Sequence, residues 1–296
     1  MITNNLPGAR KEQIERRINH AREEYPLLWH DFCQQWRNWQ GEDSLWLTYS
    51  ANYLFCTNGI RWAMDPFHLS ARLPEVSPPD YQADLAGLQM IVFTHAHSDH
   101  LDWNLVKALR TQPLQWVIPQ HMLELIQAAV DIPEDNIIVP QNAVPVRLGS
   151  LSLLPFDGLH FPESGDGGVP ETGYLVEFDH TRWLFPGDTR NYNAARLPLM
   201  PRLHGLTAHL WLGKAAAAMP DPPQVKAFAQ FCKELRPRQV LITHLYELGR
   251  DENDQWNVQH FNQVMPHLLT YFDPSRVRYA LMGDRIPLHY SSSINI

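Results

Sequence analysis

Apolar positions along the chain fall first into one helical stripe, then into short extended runs that later alternate with helical ones. Leu28, Phe32, Trp36 and Trp39 recur at spacings of four, four and three, one face of a helix over roughly residues 9–39. That face is expected to pack on the main core, with a cap over a functional site or a dimer contact as the alternatives. Residues 45–66, LWLTYSANYLFCTNGIRWAMDP, place Asn58-Gly59 between two aromatic, apolar runs, which predicts a hairpin that ends at Asp65-Pro66. LQMIVF then reads as a strand and DWNLVKALR as a helix with Asp102 as its N-cap. LQWVIP predicts a strand and QHMLELIQAAV a helix. NIIVP, AVPVRL and LSLLPF predict strands, the last two joined at Gly149-Ser150. TGYLVEF and RWLFPGD predict a hairpin across Asp179-His180. LTAHLWLG, RQVLITH and VRYALM read as strands, with helices over PPQVKAFAQFCKEL and VQHFNQVMPHLLTYF. Hairpins followed by strand–helix alternation predict an α/β chain, sheets packed together with helices outside them. No composition shift marks a domain boundary.

Composition narrows the class. The chain has 296 residues, 44% hydrophobic and 19% charged, enough apolar content for a sizeable core and too little charge for disorder. Its net charge of −8 argues against a nucleic-acid-binding surface. Three scattered cysteines, Cys33, Cys56 and Cys232, suit a reducing compartment and make neither a disulfide frame nor a cysteine metal site. No signal peptide and no apolar run of about 18 residues is visible, so a soluble cytoplasmic protein is expected.

The candidate chemistry lies in FTHAHSDHLDW, residues 93–103, between a predicted strand and a predicted helix. Two histidines spaced i and i+2 on extended chain project to one side, so His95 and His97 can grip one ion. Asp99 and His100 lie just beyond and can address a second. At this composition the pattern has on the order of 0.002 chance occurrences per chain, so an accidental surface cluster is set aside.

HAHSDH resembles the signature of the metallo-β-lactamase superfamily. The resemblance implies a four-layer αββα sandwich with a dinuclear metal site along one edge, formed by residues 41–296 behind an N-terminal helical extension over 1–40. It implies three further ligands at later strand ends. His160 in DGLHFPESG, Asp188 in WLFPGDTRN and His244 in VLITHLYELG match in order. His121 and His180 are the rivals of His160, but a helix start and a hairpin tip suit ordinary surface histidines. By the resemblance, His95, His97 and His160 hold one metal, and Asp99, His100 and His244 the other. Asp188 bridges the two, and Asp99 and Asp188 are the catalytic carboxylates. Zinc is the expected ion, with manganese or iron as alternatives, and a bridging hydroxide is the implied nucleophile. Asp65 is expected to orient a ligand histidine, the alternative being an Asx turn before Pro66. Glu247, three residues after His244, would orient it or cap a helix.

THAHSDHLDWNLVKAL with FPGDT is most similar to the branch of sugar-phosphate lactonases and N-acyl-phosphatidylethanolamine phospholipases. This implies a metallo-hydrolase acting on a small anionic ester, lactone or phosphoester. Lys214, Arg190 and Tyr192 are the candidate substrate-binding residues. GKAAAAMPDPP, with its four alanines, departs from the acidic or glycine-rich stretch common in that branch. The alternatives are a di-iron redox enzyme and a phosphodiesterase acting on phospholipid. The latter needs a membrane-facing apolar surface, for which Trp29, Trp36 and Trp39 are the only candidates. The expected partner is a small molecule, with a homo-oligomer left open.

Overall fold

In the computed structural model, Asn58 and Gly59 both adopt left-handed backbone, φ 50° and 75°, and close the predicted hairpin by direct Thr57–Ile60 pairing. Two consecutive positive φ values are what a two-residue hairpin turn requires, and Asn-Gly supplies them at little cost. The structure describes residues 7–161, 168–210, 221–248 and 255–289, with side chains described from residue 23 onward.

The chain begins with α1 (Pro7–Asn38), then β1 (Ser44–Leu47), β2 (Tyr53–Thr57), β3 (Ile60–Met64), α2 (Tyr81–Asp84), β4 (Met90–Val92), α3 (Trp103–Leu109), β5 (Gln115–Val117), α4 (Gln120–Ala129) and β6 (Ile137–Ile138). The second half runs β7 (Val146–Leu148), β8 (Leu151–Asp157), β9 (Thr172–Phe178), β10 (Thr181–Phe185), β11 (Gly205–Ala208), α5 (Pro222–Leu235), β12 (Gln239–Ile242), α6 (Val258–Leu268), β13 (Val277–Tyr279) and β14 (Arg285–Pro287). Two seven-stranded sheets result, ordered β14-β1-β2-β3-β4-β5-β6 and β13-β12-β11-β10-β9-β8-β7.

Three apolar clusters show the layers. Leu45, Phe55 and Trp62 of the first sheet meet Tyr174, Trp183 and Phe185 of the second in the central layer. Trp29, Trp36, Leu105 and Met122 cover the first sheet's outer face, and Phe228, Phe231, Phe261 and Val264 cover the second's. The architecture is the expected αββα sandwich, helices outside and two mixed sheets within.

Several details differ from the sequence reading. The first apolar run splits into β1 and β2, because the chain reverses at Tyr49–Asn52 with Thr48 N–H bonded to Asn52 O at 2.8 Å. The short edge strand β14 was not anticipated. The buried face of α1 runs through Tyr25, Trp29, Phe32, Cys33 and Trp36, with Leu28 and Trp39 at its margin. Trp36 donates its indole N–H to Phe55 O at 2.7 Å, and Trp29 donates to Asp84 Oδ2 at 3.0 Å. Trp29 and Trp36 are buried in the protein's own core, so the membrane-facing surface considered for the phospholipid reading does not exist in that form. No described helix is long and apolar enough to cross a membrane.

β3, β4 and β5 are parallel, as are β10, β11 and β12, while β8 and β10 share a direction through β9. The carboxyl ends of β4, β8, β10 and β12 therefore lead into His95, His160, Asp188 and His244 at the same edge of the sandwich.

Candidate metal centre

The loop leaving β4 is shaped by its own hydrogen bonds. Asp102 caps α3 through the N–H groups of Asn104 and Leu105, which ends the histidine loop where the helix begins. His100 N–H reaches back to His97 O at 3.0 Å, so the chain bends between them. His95 and His97 lie with Nε2 and Nδ1 3.1 Å apart, on the same side of the chain. His160 joins them, its ring centroid 5.1 Å from that of His95 and 4.8 Å from that of His97.

Among the described residues three groups of potential ligand atoms form, each with its atoms within 4.8 Å of one another: His95, His97, His160 and Asp188; Asp99, His100, Asp188 and His244; and a smaller one of Asp65, His95 and His100, in which Asp65 stands behind the two histidines. Asp188 belongs to both of the first two. Its Oδ2 lies 3.8 Å from His95 Nε2, 3.5 Å from His100 Nε2 and 3.4 Å from His244 Nε2. Asp99 Oδ2 lies 3.3 Å from His244 Nε2. All of these side chains are buried except that of His97, which is partly exposed and marks the open side.

The two halves differ electrostatically. Burial, with the neighbouring imidazoles, pulls His95 well below its ordinary value. Burial also lowers His97 and takes His160 down to about 4. These three are neutral at physiological pH, the form that can donate a lone pair to a cation. Burial pulls His244 down as well, but Asp188 and Asp99 outweigh it and push its pKa up to about 10. His100 is raised against burial by Asp188 and Asp65. Against the same burial, His100 and His244 hold Asp99 and Asp188 below the carboxylate range.

The donor set fits a pair of cations. Both ring nitrogens of His160, the Nε2 atoms of His100 and His244, and Asp188 Oδ1 are buried without a hydrogen-bond partner. Orphan buried polar atoms are costly and normally rare, and coordinated ions would satisfy all of these except the second nitrogen of His160, since an imidazole offers an ion one nitrogen only. Asp65, Asp99, Glu171, Asp188 and Glu247 are all buried around the cluster. Such a density of carboxylates calls for positive charge. Imidazole and carboxylate together suit zinc, manganese or iron.

A second layer holds the first. Asp65 Oδ2 accepts from His100 Nδ1 at 2.8 Å and from Thr94 Oγ1 at 2.5 Å, while its Oδ1 accepts from Thr94 N–H at 2.8 Å. Asn52 donates to the backbone oxygens of Asp65 and Asp99, both at 2.8 Å. Glu171 accepts from Asp188 N–H at 2.7 Å and places the same oxygen 3.3 Å from His95 Nδ1. Gly187 explains the PGD motif: at φ 77° it turns the chain into Asp188, and a Cβ there would lie 2.3 Å from Glu171 Oε1. Asp65 and His244 are themselves left-handed, φ 45° and 61°, a conformation that few non-glycine residues adopt and that aspartate and histidine tolerate better than most.

The other expected residues are distributed as follows. Glu247 puts Oε2 3.8 Å from His244 Nδ1 and Oε1 2.9 Å from Arg72; the residues it would cap lie outside the described ones. Arg190 is partly buried, anchors its N–H on Leu159 O at 2.8 Å, and is close enough to help lower His97 and His160. The ring of Tyr192 packs edge-on against Phe228 and Phe231 of α5, with its hydroxyl buried. Lys214 lies outside the described residues. His121 is exposed and only approaches Thr94 O, at 3.2 Å, and His180 is exposed at its turn.

Asn52, Arg72, Glu171 and His209 went unnoticed in the sequence. His209 follows β11, is buried with its pKa lowered to about 3 by burial, and lies ring to ring with His244 at 5.9 Å. A histidine inside the apolar run LTAHLWLG was its visible signal; the other three carried none.

The sequence model of a family described as "Beta-lactamase superfamily domain" matches residues 63–245, more than half of the chain. Over 114 residues the chain is 30% identical to the cytoplasmic isozyme of hydroxyacylglutathione hydrolase from Saccharomyces cerevisiae, a match spanning 36% of this chain and 38% of that relative. Igni18, a metallo hydrolase from Ignicoccus hospitalis, superposes with a TM-score of 0.56 at 17% identity over 85% of this chain and 100% of its own. CmlA, a diiron β-hydroxylase from Streptomyces venezuelae, gives 0.60 at 16% identity over 85% of this chain and 55% of its own. At those identities the two structures speak for the fold alone. The family match agrees with the fold and with the histidine–aspartate cluster of this chain, and the chain belongs to the metallo-β-lactamase superfamily.

Proposed function

We propose that this protein is a metal-dependent hydrolase of a small anionic ester, lactone or phosphoester, with His95, His97 and His160 holding one divalent ion and Asp99, His100 and His244 a second. The observation that carries the reading is the position of Asp188, whose Oδ2 faces histidines of both groups at 3.4 to 3.8 Å. A pair of bound divalent ions supplies Lewis-acid activation of water and of the scissile group at neutral pH. The chain's own residues do the rest. Asp65 and Glu171 fix the rings of His100 and His95, so their Nε2 atoms face inward. Asp99 and Asp188 are the carboxylates nearest the centre, placed to accept a proton from the attacking water. That water's oxygen bonds to the carbonyl carbon or phosphorus, the ester oxygen departs, and the proton passes to it.

Arg190 supports an anionic substrate. It lies two residues beyond Asp188, near the partly exposed His97, on an acidic chain that would otherwise repel an anion. Lys214 is proposed as its companion. Zinc is the preferred ion. The same donor set suits iron, and a di-iron redox role is the second reading. The phospholipid variant has lost the apolar surface that motivated it.

The test pairs elemental analysis of freshly purified protein with a hydrolysis panel of lactones, phosphodiesters, thioesters and β-lactams. Two ions per chain and hydrolysis of an anionic substrate, with KM raised in Arg190→Ala, are expected. Well under one ion per chain after metal reconstitution, or a preference for neutral substrates, overturns the proposal; iron with colour and no hydrolysis transfers it to the redox reading.

A further inference from the structure

Arg72 is a largely buried cation beside the second group of candidate ligands, and nothing in the sequence marked it. It follows the 3-10 turn Leu69–Ala71 on the loop leaving β3, with its N–H bonded to Leu69 O at 3.0 Å. That turn is fixed from beneath. His68, its N-cap, sits among the rings of Tyr25, Trp29 and Tyr81, at centroid distances of 5.0, 4.8 and 6.0 Å. The Arg72 side chain is 12% exposed. Its Nη1 lies 2.9 Å from Glu247 Oε1 and 3.7 Å from Asp99 Oδ1. The far oxygens of these carboxylates turn to one histidine. Glu247 Oε2 lies 3.8 Å from His244 Nδ1, and Asp99 Oδ2 lies 3.3 Å from His244 Nε2. Arg72, Asp99, His244 and Glu247 therefore form a closed ring of neighbouring side chains.

The ring joins the two sheets. Arg72 and Asp99 leave β3 and β4 of the first sheet, and His244 and Glu247 leave β12 of the second. Among the described residues, Arg72 pairs with carboxylates beside the second ligand group and with none beside His95, His97 and His160.

We propose that Arg72 is a positioning residue for one half of the centre: it turns Asp99 and, through Glu247, His244 toward the second ion, and so sets the affinity of that ion apart from the first. The inference rests on the two-ion reading given under Proposed function. A planar guanidinium can face two carboxylates at once. An ammonium at the same place is a single point charge and holds one of them. Removing the guanidinium leaves Asp99 and Glu247 facing each other across a buried space, and each would turn away from the geometry that His244 needs.

Metal-free full-length protein titrated with Co2+ against a chromophoric chelator reads both ions separately. In Arg72→Met one of the two binding steps is expected to weaken about tenfold to a hundredfold, the usual range for loss of a group that orients a ligand, with the other step within about threefold of wild type. Arg72→Lys should recover only part of the loss, and Glu247→Gln, which keeps shape and the arginine, should weaken the same step. Should Arg72→Met fail to fold, the last two variants decide. Equal weakening of both steps, or unchanged affinity in all variants on a wild type that holds two ions, overturns this inference alone. A wild type that holds fewer than two ions overturns the two-ion reading and this inference with it.

Discussion

Asp65→Asn changes one atom and should disable one ligand. In the structure the Asp65 carboxylate accepts every hydrogen bond it makes: Thr94 N–H at Oδ1, and Thr94 Oγ1–H and His100 Nδ1–H at Oδ2. Because Asp65 keeps a proton on His100 Nδ1, Nε2 is the nitrogen that faces Asp188 and Asp99, and the one that gives up its proton when an ion takes that place. An amide has one acceptor and one donor end. With the NH2 toward His100, Nδ1 must become the acceptor and the proton moves to Nε2, where it blocks coordination. With the amide flipped, NH2 meets the Thr94 N–H, donor against donor. A hydrogen bond involving a charged group is worth about 1.5–3 kcal/mol. At about 1.4 kcal/mol per factor of ten, its loss corresponds to about tenfold to a hundredfold in metal affinity. Competition titration of the metal-free variant with Zn2+ reads this directly, and kcat/KM on the best substrate of the hydrolysis panel should fall in parallel. A variant that binds both ions within about twofold of wild type would show that Asp65 does not control the tautomer of His100.

Two further outcomes follow from the geometry. His160→Ala should lose metal and activity heavily, whereas His121→Ala and His180→Ala, both at exposed positions, should retain both; metal analysis of the three variants checks this, and loss at His121 or His180 without loss at His160 reverses the assignment. Acid should destabilise the protein through His68, whose pKa burial lowers to about 3. Above an unfolded pKa near 6.5 neither state carries the proton; below it only the unfolded chain does, so stability falls by about 1.4 kcal/mol per pH unit from this group until the folded pKa is reached. His68→Asn, which can still cap the turn through Ser70 N–H, should show a shallower loss of urea stability between pH 6.5 and 4; parallel pH profiles for the two proteins would refute the argument.

What could be read from the sequence was the chemistry whose partners are neighbours in the chain. HAHSDH carries three histidines and an aspartate on one loop, and PGD carries the glycine that its turn needs, so both were visible as words. The supporting layer was not. Arg72 in LSARLPE looks like any surface arginine, and Glu171 before TGYLVEF looks like a strand-end charge. Each acquires meaning only when the loops meet, Arg72 against Glu247 across 175 positions of sequence (247 − 72) and Glu171 against His95 and Asp188. The face of α1 was displaced for a different reason. The lines 28-32-36-39 and 25-29-32-36 share Phe32 and Trp36, and a buried helical face is wide enough for both. Spacing alone does not say which margin is wet. The packing does: Tyr25 and Trp29 reach the His68 turn, whereas Leu28 and Trp39 stay at the edge.

The placement of the ligands also says why this fold suits a dinuclear centre. His95, His97, Asp99 and His100 come from one sheet by way of β4, and His160, Asp188 and His244 from the other by way of β8, β10 and β12. Neither sheet carries a complete set for either ion. The apolar layer that joins Phe55 and Trp62 to Tyr174, Trp183 and Phe185 is thus also what assembles the centre. By linkage, any ion held by residues of both sheets stabilises the sandwich in proportion to its affinity, by RT ln(1 + [M]/Kd), or about 2.7 kcal/mol at a hundred times Kd. In the metal-free protein, part of that bond between sheets falls to ion pairs, with His244 and His100 as cations against Asp188 and Asp99. Those pairs must release protons before a divalent ion can take their place. With metal bound as proposed, the same carboxylates would hold the sheets together at the site edge in either state, and the exchange of protons for metal would couple the stability of the fold to the chemistry it supports.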